Sequence, residues 1–163
     1  MNTKQLWQAL ANNSVTYSFF DGIFSRDLLK NITKKPSLII CNTDPSYKEG
    51  KHWIAIFFTE EYVEFYDSIG KDIVEYHDDL IRFISKFNVP QYKISLIKTQ
   101  EDNTSYCGEH CLFYSYYRCK GKSMEYIIDL MTKSDVVRFV HSKFEFCKES
   151  ECKYVQICKE CIK

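Results

Sequence analysis

The chain carries no excess charge of either sign. Lysine and arginine total 22, and so do aspartate and glutamate. With zero formal net charge, nothing global points to nucleic acid or an anionic membrane as partner. No stretch is long and apolar enough to span a bilayer, and the first residues, MNTKQLWQALANNSVTYSFF, lack the continuous apolar core of a signal peptide. The expectation is an intracellular protein, neither secreted nor membrane-bound. There is also no internal repeat, no low-complexity segment and no linker to mark a second domain.

What is present suits one domain with a substantial core: 163 residues, 45% hydrophobic and 16% aromatic. Eight cysteines would suggest a disulfide framework in a small secreted chain. Here they lie partly within an apolar helix pattern, and a reducing compartment keeps thiols free.

The patterning predicts a short helix over Lys4 to Leu10, then an aromatic stretch, YSFFDGIF, with a turn at Asp21-Gly22, and a second short helix from Ser25 to Ile32. Three apolar runs follow as the middle of a sheet: SLIICN after Pro36, His52 to Phe58, and Tyr62 to Tyr66. Ile73, Tyr76, Leu80, Ile84 and Phe87 recur at helical spacing, which predicts a helix over Asp72 to Phe87. A fourth strand is expected over Tyr92 to Ile97. Met124 to Met131 and Ser134 to Phe146 read as two more helices, with Ser134 capping the second.

The chain is organised around KTQEDNTSYCGEHCLFYSYYRCKGK, Lys98 to Lys122. Thr104 and Ser105 are candidate N-caps for a helix running from about Ser105 or Tyr106 to Arg118 or Cys119, with Gly121 just beyond. Cys111, Leu112, Phe113, Tyr116, Tyr117 and Cys119 leave no broad polar face, as in a buried central helix. Cys107 falls in its first turn. There the free N–H groups and the positive end of the helix dipole favour a thiolate, the nucleophilic form. Taken by itself, a cysteine so placed is far more often a small core residue.

A nucleophile needs a base. His52 begins one strand, Asp67 ends its neighbour, and Gln100 precedes the helix. If the strands are adjacent, these ends converge on Cys107. An imidazole takes the thiol proton, a carboxylate orients the imidazole, and an amide NH₂ stabilises an oxyanion. Taken singly, His52 reads as a hydrogen-bonded strand-end residue, Asp67-Ser68 as a turn and Gln100 as a loop residue; their order along the chain is what counts.

His52-Trp53, then FYDSIG, then Gln100 ahead of Cys107-Gly108 resembles the adenovirus-type endopeptidases (adenain) and their relatives, the ubiquitin-like-protein proteases. Six residues separate Gln100 from Cys107, which is closer to adenain than to the deSUMOylating branch. CNTDPSYKEGKHWIAIF and YSFFDGIF are also adenain-like, and the resemblance spans roughly Tyr17 to Lys143.

The resemblance implies an α+β cysteine protease of papain-like, adenain-like fold over residues 1–146, its mixed sheet flanked by helices. It implies Cys107 as nucleophile, His52 as base and acid, and Asp67 as the group orienting His52. Gln100, with the Cys107 backbone N–H, would be the oxyanion donor, and Trp53 and Gly108 would line the substrate groove. It further implies cleavage after glycine in a protein or peptide substrate, with maturation of viral or transposon-encoded structural precursors as the first role, in host cytoplasm or nucleus and in virions. A ubiquitin-like-protein isopeptidase is the alternative within the enzyme class, and a non-catalytic protein-binding module is the alternative outside it.

Adenain's activating peptide and DNA are not carried over, because NVPQYKISLIKT holds no cysteine and the chain is not basic. An activating peptide of another kind stays open, and no cofactor is required. His110 is an alternative base by spacing, although a side chain on the same helix reaches the thiol poorly. His77 and His141 carry no functional signal. Residues 147–163 form a cysteine-rich tail in which Cys147, Cys152, Cys158 and Cys161 could bind zinc, form a disulfide clip, or pack as a docking tail.

Overall fold

The computed structural model describes residues 1–87 and 91–146. The chain is α+β. A five-stranded mixed sheet has the order β1 (Phe20–Ser25), β2 (Ser37–Asn42), β3 (Trp53–Phe58), β4 (Tyr62–Tyr66) and β5 (Gln91–Ile94). The central pairs β2/β3 and β3/β4 are antiparallel, and the outer pairs β1/β2 and β4/β5 are parallel.

Helices cover both faces, and this is why the central strands read as unbroken apolar runs rather than alternating ones. Leu38, Ile40, Ala55, Phe57 and Tyr66 face one layer, formed by α1 (Thr3–Asn12), α3 (Cys107–Cys119), α4 (Met124–Thr132) and α5 (Val136–Lys143). Ile39, Cys41, Ile54, Ile56, Val63 and Phe65 face the other, where α2 (Asp78–Ser85) supplies Leu80, Phe83 and Ile84.

α3 is sequestered nearly all round, as its composition predicts; ten of its 13 residues are buried. Two sets of contacts set its rotation on the sheet. Tyr114 stacks on Tyr66 of β4 with ring centroids 4.5 Å apart. Near the helix's C-terminal end, Arg118 Nε donates to Glu64 Oε2 at 2.5 Å, the Tyr114 hydroxyl donates to the same oxygen at 2.6 Å, and Arg118 Nη2 donates to the Tyr62 hydroxyl at 2.7 Å.

Several local expectations are corrected. Asp21-Gly22 is not a turn: it lies within β1, where the register shifts between Phe20 and Gly22 and Gly22 takes φ +143°. A bulge with glycine in a positive-φ conformation accounts for the turn-like sequence. The helix expected over Ser25 to Ile32 is a single 3₁₀ turn, Arg26–Leu28, with no side-chain cap. The helix expected over Asp72 to Phe87 is broken into a 3₁₀ turn, Ile73–Glu75, and α2. Two start signals sit close together, an Asp72/Glu75 capping box and His77 accepting from the Asp79 N–H, and Tyr76 between them is extended. β5 stops at Ile94, short of Ile97. α5 begins after Asp135, whose carboxylate accepts from the Arg138 N–H, rather than after Ser134.

Among the described residues, no helix is long and apolar enough to cross a membrane. The four described cysteines, Cys41, Cys107, Cys111 and Cys119, are unpaired.

Candidate active site

Sheet topology brings the site together. Because β3 and β4 are antiparallel, the start of β3 and the end of β4 lie at the same end of the sheet, with His52 before the one and Asp67 after the other. β5 runs parallel to β4, so its exit leads to that same end. There the N–H groups of Thr99 and Gln100 both donate to the Ser68 carbonyl, at 2.9 and 3.0 Å. The chain then turns into α3, with Cys107 as its first residue.

Neither Thr104 nor Ser105 caps α3. The N-cap position is Tyr106, and no side chain bonds the first turn. The Thr104 hydroxyl is spent on the Glu101 carbonyl at 2.8 Å, and the Thr104 carbonyl accepts from Gln100 Nε2 at 2.8 Å. The positive end of the helix is therefore left for the group beside it, the Cys107 thiol.

His52 Nε2 lies 2.6 Å from Asp67 Oδ1. The Cys107 thiol lies near enough to the same imidazole for each to bear on the other's ionisation. Burial opposes charge on His52, but hydrogen bonds to Asp67 and Cys107 and their negative charges win, pushing its pKa up to about 9. Burial alone would raise the Cys107 thiol. Hydrogen bonds from His52 and from the Trp53 backbone, together with the His52 charge, hold it below the usual thiol value. Cys111 and Cys119 lack such partners, and burial drives both upward, Cys119 to about 12.

Asp67 is fully buried and saturated with donors. Oδ1 accepts from His52 and from the Ile69 N–H at 3.0 Å; Oδ2 accepts from the Tyr76 hydroxyl at 2.6 Å and the Lys71 N–H at 3.2 Å. Burial would raise its pKa, but these bonds hold the carboxyl below the ordinary value. Tyr76 is the residue that sequence patterning misses, because its position fits the apolar periodicity of a helix that the chain does not continue. Tyr76→Phe should move the acid limb of Cys107 alkylation by iodoacetamide toward lower pH, since an Asp67 with one donor fewer is a stronger acceptor for the His52 N–H and holds the imidazolium more tightly. An unchanged limb would remove Tyr76 from the set.

Gln100 is buried, with Oε1 accepting from Ser68 Oγ at 2.8 Å and one Nε2 hydrogen on Thr104; its second N–H is uncommitted among these contacts. Trp53 Nε1 donates to the Met1 carbonyl at 3.0 Å, and a Cβ on Gly108 would lie 2.8 Å from Met1 Cβ. Residue 1 thus rests on both expected groove residues. A cleft of about 260 Å³ opens beside Trp53, lined also by Thr3, Phe24, Asn42 and Gly50.

His110 points away from the thiol. Its Nδ1 lies 3.2 Å from Thr99 Oγ1 and 3.5 Å from the Tyr66 hydroxyl, and burial lowers its pKa to about 4. His77 caps α2, and His141 packs on Phe146 with ring centroids 5.1 Å apart. Among the described residues there is no group of three metal-binding side chains. Cys147, Cys152, Cys158 and Cys161 lie outside the described residues.

No protein-family model matches the chain, and no curated protein matches it. Fold and geometry therefore define its class: an α+β chain with a thiol at the start of a buried helix, beside an imidazole that a buried carboxylate holds at 2.6 Å.

Proposed function

We propose that this chain is a thiol peptidase, with Cys107 as nucleophile, His52 as general base and acid, and Asp67 orienting the imidazole. More particularly, it is an endopeptidase of the adenain type on the papain-like scaffold, cutting after glycine in precursors of viral or transposon-encoded structural proteins. The observation that carries the reading is the Cys107–His52–Asp67 series at an uncapped helix start. A packing cysteine has no use for an imidazole held at 2.6 Å by a saturated carboxylate.

The chemistry follows from the arrangement. The thiolate attacks the scissile carbonyl carbon, forming the C–S bond while the carbonyl π pair moves onto oxygen. The second N–H of Gln100 and the Cys107 backbone N–H stabilise that oxyanion. The oxyanion collapses, the C–N bond breaks, and the His52 imidazolium gives its proton to the departing amine, leaving a thioester. Neutral His52 then takes a proton from water as its oxygen attacks the thioester carbon. The acid product leaves, and thiolate and imidazolium are restored.

The test is hydrolysis of fluorogenic peptides with glycine on the acyl side of the cut, set against a ubiquitin-like protein bearing a short C-terminal extension. Gly-peptide cleavage by the chain alone supports the endopeptidase, and exclusive processing of the extended protein supports the isopeptidase. No acyl transfer to Cys107 from either substrate would overturn the enzyme reading in favour of a binding module. In the active case, Gln100→Ala should lower kcat by about 10²–10³-fold, the usual loss for one oxyanion donor. An unchanged kcat would remove Gln100 from the mechanism.

A further inference from the structure

A buried primary amide is nearly symmetric in shape, so its neighbours decide whether it presents N–H or oxygen to a ligand. For Gln100 two groups on opposite sides hold the amide, and one of them decides. The Thr104 carbonyl can only accept, and it lies 2.8 Å from Nε2. On the other side Oε1 lies 2.8 Å from the hydroxyl of Ser68, a fully buried side chain. Turning the amide over would set oxygen against the Thr104 carbonyl oxygen, whereas the Ser68 hydroxyl, able to donate or accept, bonds either end. The carbonyl therefore selects the orientation in which a second N–H is free to face substrate, and the hydroxyl anchors the oxygen end of that amide in place.

The backbone of the same residue ties the two segments together. The Ser68 carbonyl accepts from both Thr99 and Gln100. Two residues on, Gly70 takes φ +73°, and a Cβ there would lie 2.8 Å from the Lys98 backbone nitrogen, so the turn after β4 and the approach to Gln100 are in closest contact. From behind, Thr99 Oγ1 meets the Tyr66 hydroxyl at 2.7 Å and His110 Nδ1 at 3.2 Å. Two consecutive residues, Asp67 and Ser68, thus hold the imidazole of one segment and the amide of another.

We infer that Ser68 is a positioning residue that aims the Gln100 N–H at the developing oxyanion and couples that donor to the turn orienting His52. The inference rests on the peptidase reading and extends it to a residue that touches neither substrate nor thiol. Without the hydroxyl, Oε1 loses its donor, the amide is held at Thr104 alone and swings about that one bond, and the transition state is stabilised for only part of the time.

The experiment compares Ser68→Ala, Gln100→Ala and the double variant on a Gly-containing peptide, with residue-resolved iodoacetamide labelling of Cys107 across pH. Ser68→Ala should lower kcat by about tenfold with KM within about twofold, since the lost interaction belongs to the transition state. Cys107 labelling should be unchanged, because alkylation needs no oxyanion donor. The double variant should be no slower than Gln100→Ala alone. Ser68→Cys, similar in size and a weaker donor, guards against misfolding and should recover part of kcat. Unchanged kcat in Ser68→Ala, losses that multiply in the double variant, or a parallel fall in labelling would overturn the inference while leaving the peptidase standing. Absence of turnover and of acyl transfer in the parent protein would overturn both.

Discussion

Cys107→Ala and His52→Ala should each reduce peptide cleavage by at least about four orders of magnitude while leaving the fold in place, because residues of a catalytic set act as one unit. The pH dependence makes the expectation specific. His52 ionises at about 9, and the Cys107 thiol lies below its ordinary value. Between those two limits the resting pair is thiolate and imidazolium. As pH falls through the Cys107 value, the proton returns to sulfur, and alkylation and turnover fall together. As pH rises through about 9, His52 loses its proton while the thiolate remains. Alkylation should then persist while turnover declines, because no acid is left to protonate the departing amine.

In His52→Ala the hydrogen bond and charge that lower the thiol are gone and burial is opposed by less, so Cys107 labelling should shift toward alkaline pH. In the parent protein, Cys107 should label at lower pH than Cys119, which burial pushes up to about 12. Mass spectrometry of iodoacetamide-treated protein checks both. A Cys107 that labels no sooner than Cys119, or a profile indifferent to His52→Ala, would sink the ion pair and the mechanism built on it.

Arg118→Ala should be the most destabilising of these changes, costing about 3–5 kcal/mol, the usual penalty for leaving one buried charge without its partner. Glu64 is 1% exposed, and its Oε2 accepts from both Arg118 and Tyr114. Removing the guanidinium leaves a carboxylate in a core with one phenol as donor. It also removes the cation lying 4.4 Å from the centroid of Phe57. The melting temperature should drop by roughly 6–20 °C for a domain of this size. A paired Glu64→Leu, Arg118→Met variant should recover much of the loss, since apolar replacement of a whole buried pair is often close to neutral. Urea denaturation of the three proteins checks this, and a single variant no less stable than the parent would show that the pair is not desolvated as its burial implies. Cys107 lies at the opposite end of the helix, so its labelling below the melting transition should change little.

Much of this architecture was legible along the chain because the signals are local. β2, β3 and β4 announce themselves as short apolar runs, and α3 as a stretch without a polar face. Their ends carry the candidate residues, since polar side chains at strand termini mark where the chain leaves the core. The errors are local too. Asp21-Gly22 has turn composition, yet it serves a bulge because β1 needs β2 as its partner. Asp72 to Phe87 has helical spacing, yet Tyr76 is drawn out to a carboxylate nine residues earlier in the chain.

Taken alone, the amino-acid order determined that the segments of β2 to β5 are strands and those of α1, α3, α4 and α5 helices, that Cys107 falls in the first turn of a buried helix, and that His52, Asp67 and Gln100 stand at element ends. Propensity and periodicity depend on neighbours within a few residues. Tertiary structure decided the rest: Tyr76 on Asp67, Ser68 on Gln100, His110 turned toward Thr99 and not the thiol, and Glu64 matched to Arg118. Each is a contact between side chains on different segments. Such contacts are set by strand register and by the rotation of α3 on the sheet, quantities that no local pattern encodes.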